Sequence, residues 1–349
     1  MAINLEKFIK QFRVEPGSSV KLSDYKSDYT GGYDKPENAS ELLEKGIDLL
    51  SYYQDRLYAE NSQALLVVMQ AMDAAGKDSC IEHVMSGVNP AGCQVTSFKA
   101  PTVLELDHTY LWRCMNAVPA RGMIGIFNRS HYEEVLVVRV HPAFLKAQRL
   151  PPETLTDDLW SQRFEEINNW EKHLSDNGVT VVKIYLNVGK DEQCVRQMER
   201  IDIPEKHWKF NAGDLEERKY WDEYVAAYEE MFKHTSTDRA PWYIVPADKK
   251  WFTRLAVAAI IVETLEGMDP QFPTVGEEAK KVLSASRDTL LAECGDSYEA
   301  VMEKVQNSGK TSAAADGPQQ ALKKEIKEFR ASVTKDSGKD KNKKKQKQK

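Results

Sequence analysis

Gln63–Met85, QALLVVMQAMDAAGKDSCIEHVM, is the stretch whose reading decides the fold. Ala64 to Met69 is a short apolar run of strand length, rich in Leu and Val. Asp73-Ala74-Ala75-Gly76-Lys77-Asp78-Ser79 follows, with small residues where the backbone must turn sharply. Ile81, Val84 and Met85 then recur at helical spacing, and Gly87 marks the stop of that helix. Strand, loop and helix with Gly-Lys at the turn make a phosphate-binding arrangement. The free N–H groups and positive dipole end of the helix face the loop, and Lys77 adds a mobile charge there. Ala74, Ala75, Gly76, Lys77, Asp78 and Ser79 are therefore the candidate phosphate contacts. An ordinary strand–turn–helix with a solvated Lys competes with this reading. The apolar strand before the loop and the helix after it favour the phosphate loop.

The loop departs from the Walker A pattern G-x-x-x-x-G-K-[ST]. The first Gly falls on Ala71, and the Ser/Thr that holds magnesium falls on Asp78. Asp73 stands inside the loop, where a carboxylate repels bound phosphates unless a metal lies between. It reads as a magnesium ligand (manganese being a substitute) or an orienter of the attacking phosphate.

At 349 residues, 41% hydrophobic and 29% charged, the chain has the composition of a globular protein with a sizeable core. Its net charge of −6 hides an asymmetry: Lys335 to Lys349 holds eight Lys and two Asp, a formal +6, leaving −12 for the rest. An acidic body is no general nucleic-acid surface, so a polyanion site must be a local basic cleft. The five cysteines form no CxxC pair and the seven histidines no HxxxH pair. Neither a disulfide framework nor zinc is expected, and a reducing, cytoplasmic compartment is. No apolar run approaches the length of a membrane span.

Residues 1–40 read as an irregular arm, and Asn38 or Ser40 as the cap of a helix from Glu41 to Tyr58. Cys93 to Phe98 reads as a second strand, and Thr102 as the start of a polar helix containing Tyr110, Leu111, Trp112 and Arg113. Met123 to Phe127 is a third, apolar strand, followed by Asn128-Arg129. In phosphate-loop enzymes that strand tip usually carries a magnesium-linked Asp. An Arg there can stabilise charge on a transferring phosphoryl group, or can simply be exposed at a turn.

At this point the residues resemble the polyphosphate kinase 2 family. The carriers are QAMDAAGKD (Gln70–Asp78), GVNP (Gly87–Pro90), FNRSHY (Phe127–Tyr132), ERIDIPEKHWKF (Glu199–Phe210) and APWYIVPAD (Ala240–Asp248). Asn128 in place of Asp resembles the class III branch, and Ser79 stands where the family often has Gly. The resemblance covers roughly residues 30 to 270. It implies an α/β, thymidylate-kinase-like P-loop fold with a five-stranded parallel sheet, flanking helices and a helical lid. It also implies magnesium-dependent phosphoryl transfer between inorganic polyphosphate and AMP, ADP or ATP, with GMP and GDP as further candidates.

Pro142, Pro151 and Pro152 read as a linker, Trp160 to Asn177 as an amphipathic helix, and Val179 to Val188 as the fourth strand. Gln193 to Arg200 reads as a short helix carrying Arg196 and Arg200, with Lys206 and Lys209 following around Trp208. This basic cluster matches the family's lid and suits a long polyanionic donor. Asp214 to Phe232 reads as one helix whose wide aromatic face serves packing, with nucleobase stacking as the competing reading, and the aromatic-rich helices suit self-association as a homo-oligomer. Trp242 to Val245 is the fifth strand and Trp251 to Leu265 its covering helix, with Asp248 between them as a nucleotide contact or a cap. Beyond residue 270, Glu277–Ala292 and Gln319–Ser332 read as helices of a C-terminal extension, and residues 333–349 as a Lys-rich tail.

The expected catalytic set is Asp73, Lys77 and Arg129. Arg200, Lys206 and Lys209 join the loop in holding polyphosphate, and Arg113, Arg121, Asn128, Tyr132 and Glu133 face the nucleotide. An ATP-dependent kinase of the same fold and a non-catalytic polyanion-binding protein are the competing readings. Neither a membrane nor a specific nucleic acid is an expected partner.

Overall fold

Five strands, β1 (Ala64–Ala71), β2 (Cys93–Ser97), β3 (Ile124–Asn128), β4 (Val179–Asn187) and β5 (Trp242–Pro246), form one parallel sheet in the order β2-β3-β1-β4-β5. The computed structural model describes residues 5–31 and 36–307. The helix expected over Gln319–Ser332 and the Lys-rich tail lie outside the described residues. Central β1 is buried along its whole length, which is why it reads as an unbroken apolar run. It continues through Gln70 and Ala71, which pair with Tyr185 and Leu186 of β4. Register places Met69 beside Asn128, so the loop after β1 and Arg129 after β3 leave the same edge of the sheet.

Helices flank this sheet. α1 (Pro36–Glu60), α2 (Lys77–Val84) and α6 (Lys250–Met268) pack together. Phe252, Leu255 to Val262 and Leu265 of α6 are all buried, as an all-round apolar helix requires. α3 (Leu159–Asp176) packs on β4, and α5 (Trp221–Thr235) packs on α3. α4 (Lys190–Asp202) leaves β4 at the loop edge, and α7 (Glu277–Asn307) closes the described chain.

Several elements depart from expectation. α1 begins at Pro36 rather than Glu41, since Pro in a first turn lacks only an N–H that has no intrahelical partner there. Thr102 does cap a helix, with its hydroxyl on the N–H of Glu105 and the Glu105 carboxylate on its own N–H. That helix ends at Leu106, and Trp112–Met115 is a separate turn. The proline-bracketed linker is partly helical, over Pro142–Ala147. The single helix expected over Asp214–Phe232 is broken into Ala212–Glu217, a 3-10 turn Arg218–Tyr220, and α5. α7 runs on to Asn307 through a kink at Cys294. Gly87 is not the helix stop, because α2 ends at Val84 with Met85 as its cap. A Cβ at Gly87 would lie 2.3 Å from Cγ2 of Ile47, so this glycine serves the approach of α1.

The N-terminal arm is irregular after a short helix, Leu5–Lys10. It then lies along β5: the N–H of Ile244 donates to Phe12 O at 2.7 Å, and the N–H of Val14 to Trp242 O at 2.8 Å. Phe8 and Phe12 meet Phe252 edge to face.

Candidate active site

The phosphate loop is shaped by two residues in the left-handed region, Ala74 at φ 58° and Gly76 at φ 103°. Glycine adopts this region freely, whereas Ala74 is strained by about 1 kcal/mol. Gly76 caps α2 with no side-chain bond, leaving the first amides of the helix directed at the loop. The loop carbonyls are held from outside by α4. Gln193 Nε2 donates to Asp73 O at 2.9 Å, and Arg196 Nη1 donates to Ala74 O at 3.1 Å and Ala75 O at 2.6 Å. Each trans peptide sets its N–H opposite its carbonyl: that of Ala75 donates to Met72 O at 3.3 Å, while those of Ala74 and Gly76 are left for an anion.

Lys77 is buried, and its Nζ donates to Ala71 O at 3.0 Å. Burial first, and then the nearby Arg129 charge, bring its pKa down to about 8, against the opposing pull of Asp73, Glu133 and Asp78. Arg129 itself sits at φ 63°, its N–H donating to Met69 O at 3.0 Å. Its Nη2 donates to Asp73 Oδ1 at 2.6 Å, and its Nη1 lies 3.7 Å from Glu133 Oε2. Asn128 Nδ2 donates to Asp78 Oδ1 at 2.6 Å. A carboxylate at 128 would set two like charges at that contact, so Asp78 and the amide form a matched pair. Ser79 Oγ accepts from Arg254 Nη2 at 2.9 Å.

Two cavities meet at Arg129 and Glu133. A small one is walled by Asp73, Arg218, Trp221, Tyr224 and Tyr228. A larger one of about 560 Å³ is walled by Phe98, Pro101, His108, Arg113, Phe144 and Gln148 among others. Its volume and mixed apolar and polar wall suit a nucleoside.

Asp73 through Ser79, Asn128, Arg129 and Glu133 thus come together as expected. Arg113 lies in the wall of the larger cavity, its Nη1 donating to Lys99 O at 2.7 Å. Two residues do not join them. Arg121 donates to Ser62 O at 2.9 Å, at the far end of the sheet where β1 and β3 begin. Tyr132 is fully buried, donating to Glu171 Oε1 at 2.7 Å and accepting from Lys183 Nζ at 2.9 Å. Lys183, on β4 between β1 and β5, reaches Glu171 Oε2 at 2.5 Å and Thr235 O at 2.6 Å, so Tyr132 belongs to the polar core that neutralises a buried ammonium.

The lid cations are distributed differently from expectation. Arg196 is spent mostly on backbone, also reaching Ala247 O and Asp248 O, with its Nε donating to Glu192 Oε1 at 2.9 Å. Arg200 donates to Asp214 Oδ2 at 2.8 Å, and Lys206 to Glu199 Oε2 at 2.6 Å. Lys209 lies 4.9 Å above the ring of Trp208, which is 78% exposed. Asp248 accepts from the N–H of Gly189 and from Ser27 Oγ, both at 2.8 Å, tying the arm to the start of α4 instead of capping its own helix. Gln193 and Arg218 are cleft residues that sequence reasoning missed. The basic run Arg218-Lys219 before Tyr220-Trp221 was the available signal, hidden by reading one continuous helix.

Asp73 and Asp78 offer hard oxygen donors. Oδ1 of each takes a protein hydrogen bond, while Oδ2 takes none among the described residues. No group of three or more His, Cys, Asp or Glu placed to hold a metal ion by itself occurs among the described residues. That donor set fits a divalent ion completed by substrate phosphates and water. No helix among the described residues is long and apolar enough to cross a membrane.

The chain is similar to several known proteins. The polyphosphate kinase 2 family profile matches residues 32–273. An ADP-polyphosphate phosphotransferase of Rhodopseudomonas palustris is 48% identical over 283 residues, 81% of this chain and 98% of that protein. An AMP/ADP-polyphosphate phosphotransferase of Meiothermus ruber is 44% identical over 276 residues, 79% of this chain and 99% of that protein. The crystal structure of polyphosphate kinase 2 from Arthrobacter aurescens superposes with a TM-score of 0.72 at 38% identity, covering 82% of this chain and 98% of that one.

Proposed function

The chain belongs to the polyphosphate kinase 2 family, and from that premise we propose that it moves the terminal phosphoryl group of inorganic polyphosphate onto AMP and ADP. It is a polyphosphate-dependent nucleotide phosphotransferase. The acceptor range follows the Meiothermus ruber relative, whose name includes both AMP and ADP. The observation that carries the reading is the Asp73–Arg129 pair at the meeting point of the two cavities. The larger cavity takes the nucleoside of the acceptor. The loop and the lid cations Arg200, Lys206 and Lys209 take the polyphosphate.

A phosphate oxygen of the nucleotide attacks the terminal phosphorus of polyphosphate. The bridging P–O bond breaks, and its electron pair stays on a chain one phosphate shorter. Alignment and charge do most of the work, and no covalent enzyme intermediate is required. Amides around Gly76 and the Lys77 ammonium hold the transferring group. Arg129 spreads charge over its equatorial oxygens, while Asp73 keeps that guanidinium in place. Family members use a divalent ion, and we assign magnesium, with manganese as a substitute, to Asp73; the ion supplies positive charge to the phosphate oxygens.

Donor dependence tests the reading. Purified protein with AMP or ADP, metal, and polyphosphate, ATP or no donor is expected to yield ADP and ATP only with polyphosphate. GMP and GDP enter the same assay as acceptors. Product formed from ATP alone would overturn the donor assignment.

The pH dependence has two opposite signs. Lys77 must be charged to serve the phosphates, so kcat/KM is expected to fall as pH rises through about 8. An unfolded Lys titrates near 10.4, so between about 8 and 10.4 the unfolded state binds more protons and the contribution of Lys77 to stability rises with pH. Initial rates and melting curves over pH 7 to about 10 check both. A flat kcat/KM across pH 8 would remove Lys77 as the titrating group.

A further inference from the structure

Gln193 lies in the first turn of α4, buried, and its amide bridges two parts of the cleft. Nε2 donates to Asp73 O at 2.9 Å, and Oε1 accepts from Nη1 of Arg218. The amide cannot turn over: reversed, it would set Oε1 against a carbonyl and Nε2 against a guanidinium. One bond ends on the backbone of the residue whose carboxylate holds Arg129. The other ends on a cation that lines the small cavity with Asp73 and Arg129. Arg218 also donates to Lys190 O at 3.2 Å, so its guanidinium is tied to the first turn of α4. The Asp73–Ala74 peptide leads into the strained Ala74, and such a conformation persists only where its surroundings hold it.

We infer that Gln193 is a positioning residue that locks Arg218 to the phosphate loop, making Arg218 a further cation at the transferring phosphoryl group. The break that interrupts the helix at Arg218–Tyr220 turns this guanidinium into the cleft, and Gln193 sets its distance from Asp73. The segment after the lid and the loop then move as one body. The inference rests on the polyphosphate phosphotransferase reading, and wild-type transfer from polyphosphate is its control.

The test is a double-mutant cycle of Gln193→Met and Arg218→Met, with polyphosphate and AMP varied separately. Met keeps the length of Gln and removes both bonds. Each single variant is expected to lose roughly tenfold or more in kcat with polyphosphate, with KM for AMP changed less than about twofold. The double variant is expected to be no slower than about the worse single, because both remove one linkage. Gln193→Glu keeps the acceptor for Arg218 but opposes Asp73 O, and it is expected to lose activity too. Wild-type kcat in any of these variants, or single losses that multiply in the double, would overturn the inference. Arg218→Met alters a half-buried position, so full activity there decides against it even if Gln193→Met fails to fold. A wild-type protein without transfer would instead sink the functional reading itself, and the inference with it.

Discussion

Lys77→Met is expected to lower phosphoryl transfer by roughly 10²-fold or more while leaving the protein no less stable at pH 7. The two effects share one cause. Lys77 lies in a site dry enough to bring its pKa down to about 8, so at pH 7 the charged form is held at a cost to folding. Met fills a similar volume without that charge. The loss of the bond to Ala71 O opposes that gain by about 1 kcal/mol without reversing it. In catalysis nothing offsets the loss, because Met carries no charge to present to the phosphates. Turnover at saturating polyphosphate and a melting curve at pH 7 measure the two sides. Retention of turnover within about tenfold of wild type would end the role assigned to Lys77.

Asp73→Ala is expected to cost about as much, roughly 10²-fold or more, by a different route. Its Oδ1 fixes Arg129 at 2.6 Å and its Oδ2 is open to a metal, so one truncation removes an orienter and an ion ligand together. The freed guanidinium retains Glu133, 3.7 Å away, and is drawn toward it and off the line between the cavities. Asp73→Asn separates the routes: the amide oxygen can still accept from Arg129 but is a poorer metal donor. Asp73→Asn should therefore recover part of its activity as metal is raised, whereas Asp73→Ala should not. Near-wild-type turnover in folded Asp73→Ala would sink the assignment.

The fold was legible because the signals that carry it are local. The run Ala64–Met69, the small residues after it and the spacing of Ile81 and Val84 predict strand, loop and helix without reference to distant residues. Errors arose where one residue depends on a partner remote in sequence. Tyr132 follows Arg129 closely, and adjacency suggested the nucleotide. Its direction is set by Lys183, an ammonium in the middle of the strand VTVVKIYLN that needs neutral and anionic partners inside the core. Arg121 precedes β3, and the start of a parallel strand lies at the far end of the sheet from a loop that follows β1. Topology alone could have excluded it. Arg196 looked like a lid cation because a guanidinium in sequence is only a charge. Folded, its planar fork matches successive carbonyls, and four backbone oxygens take it up. Gln193 carries no charge and gave no signal, since the meaning of a buried amide lies wholly in what stands at its two ends.

The arm laid along β5 has a bearing on self-assembly. An open sheet presents a row of unpaired backbone groups at each margin, and such margins template sheet growth between molecules. On the β5 side, Phe12 and Val14 occupy the positions that an invading strand would need, and they run antiparallel to an otherwise parallel sheet. A lengthening parallel array therefore meets a strand of the wrong polarity at that margin, and Phe12 to Val14 act as a terminator on that side of the sheet.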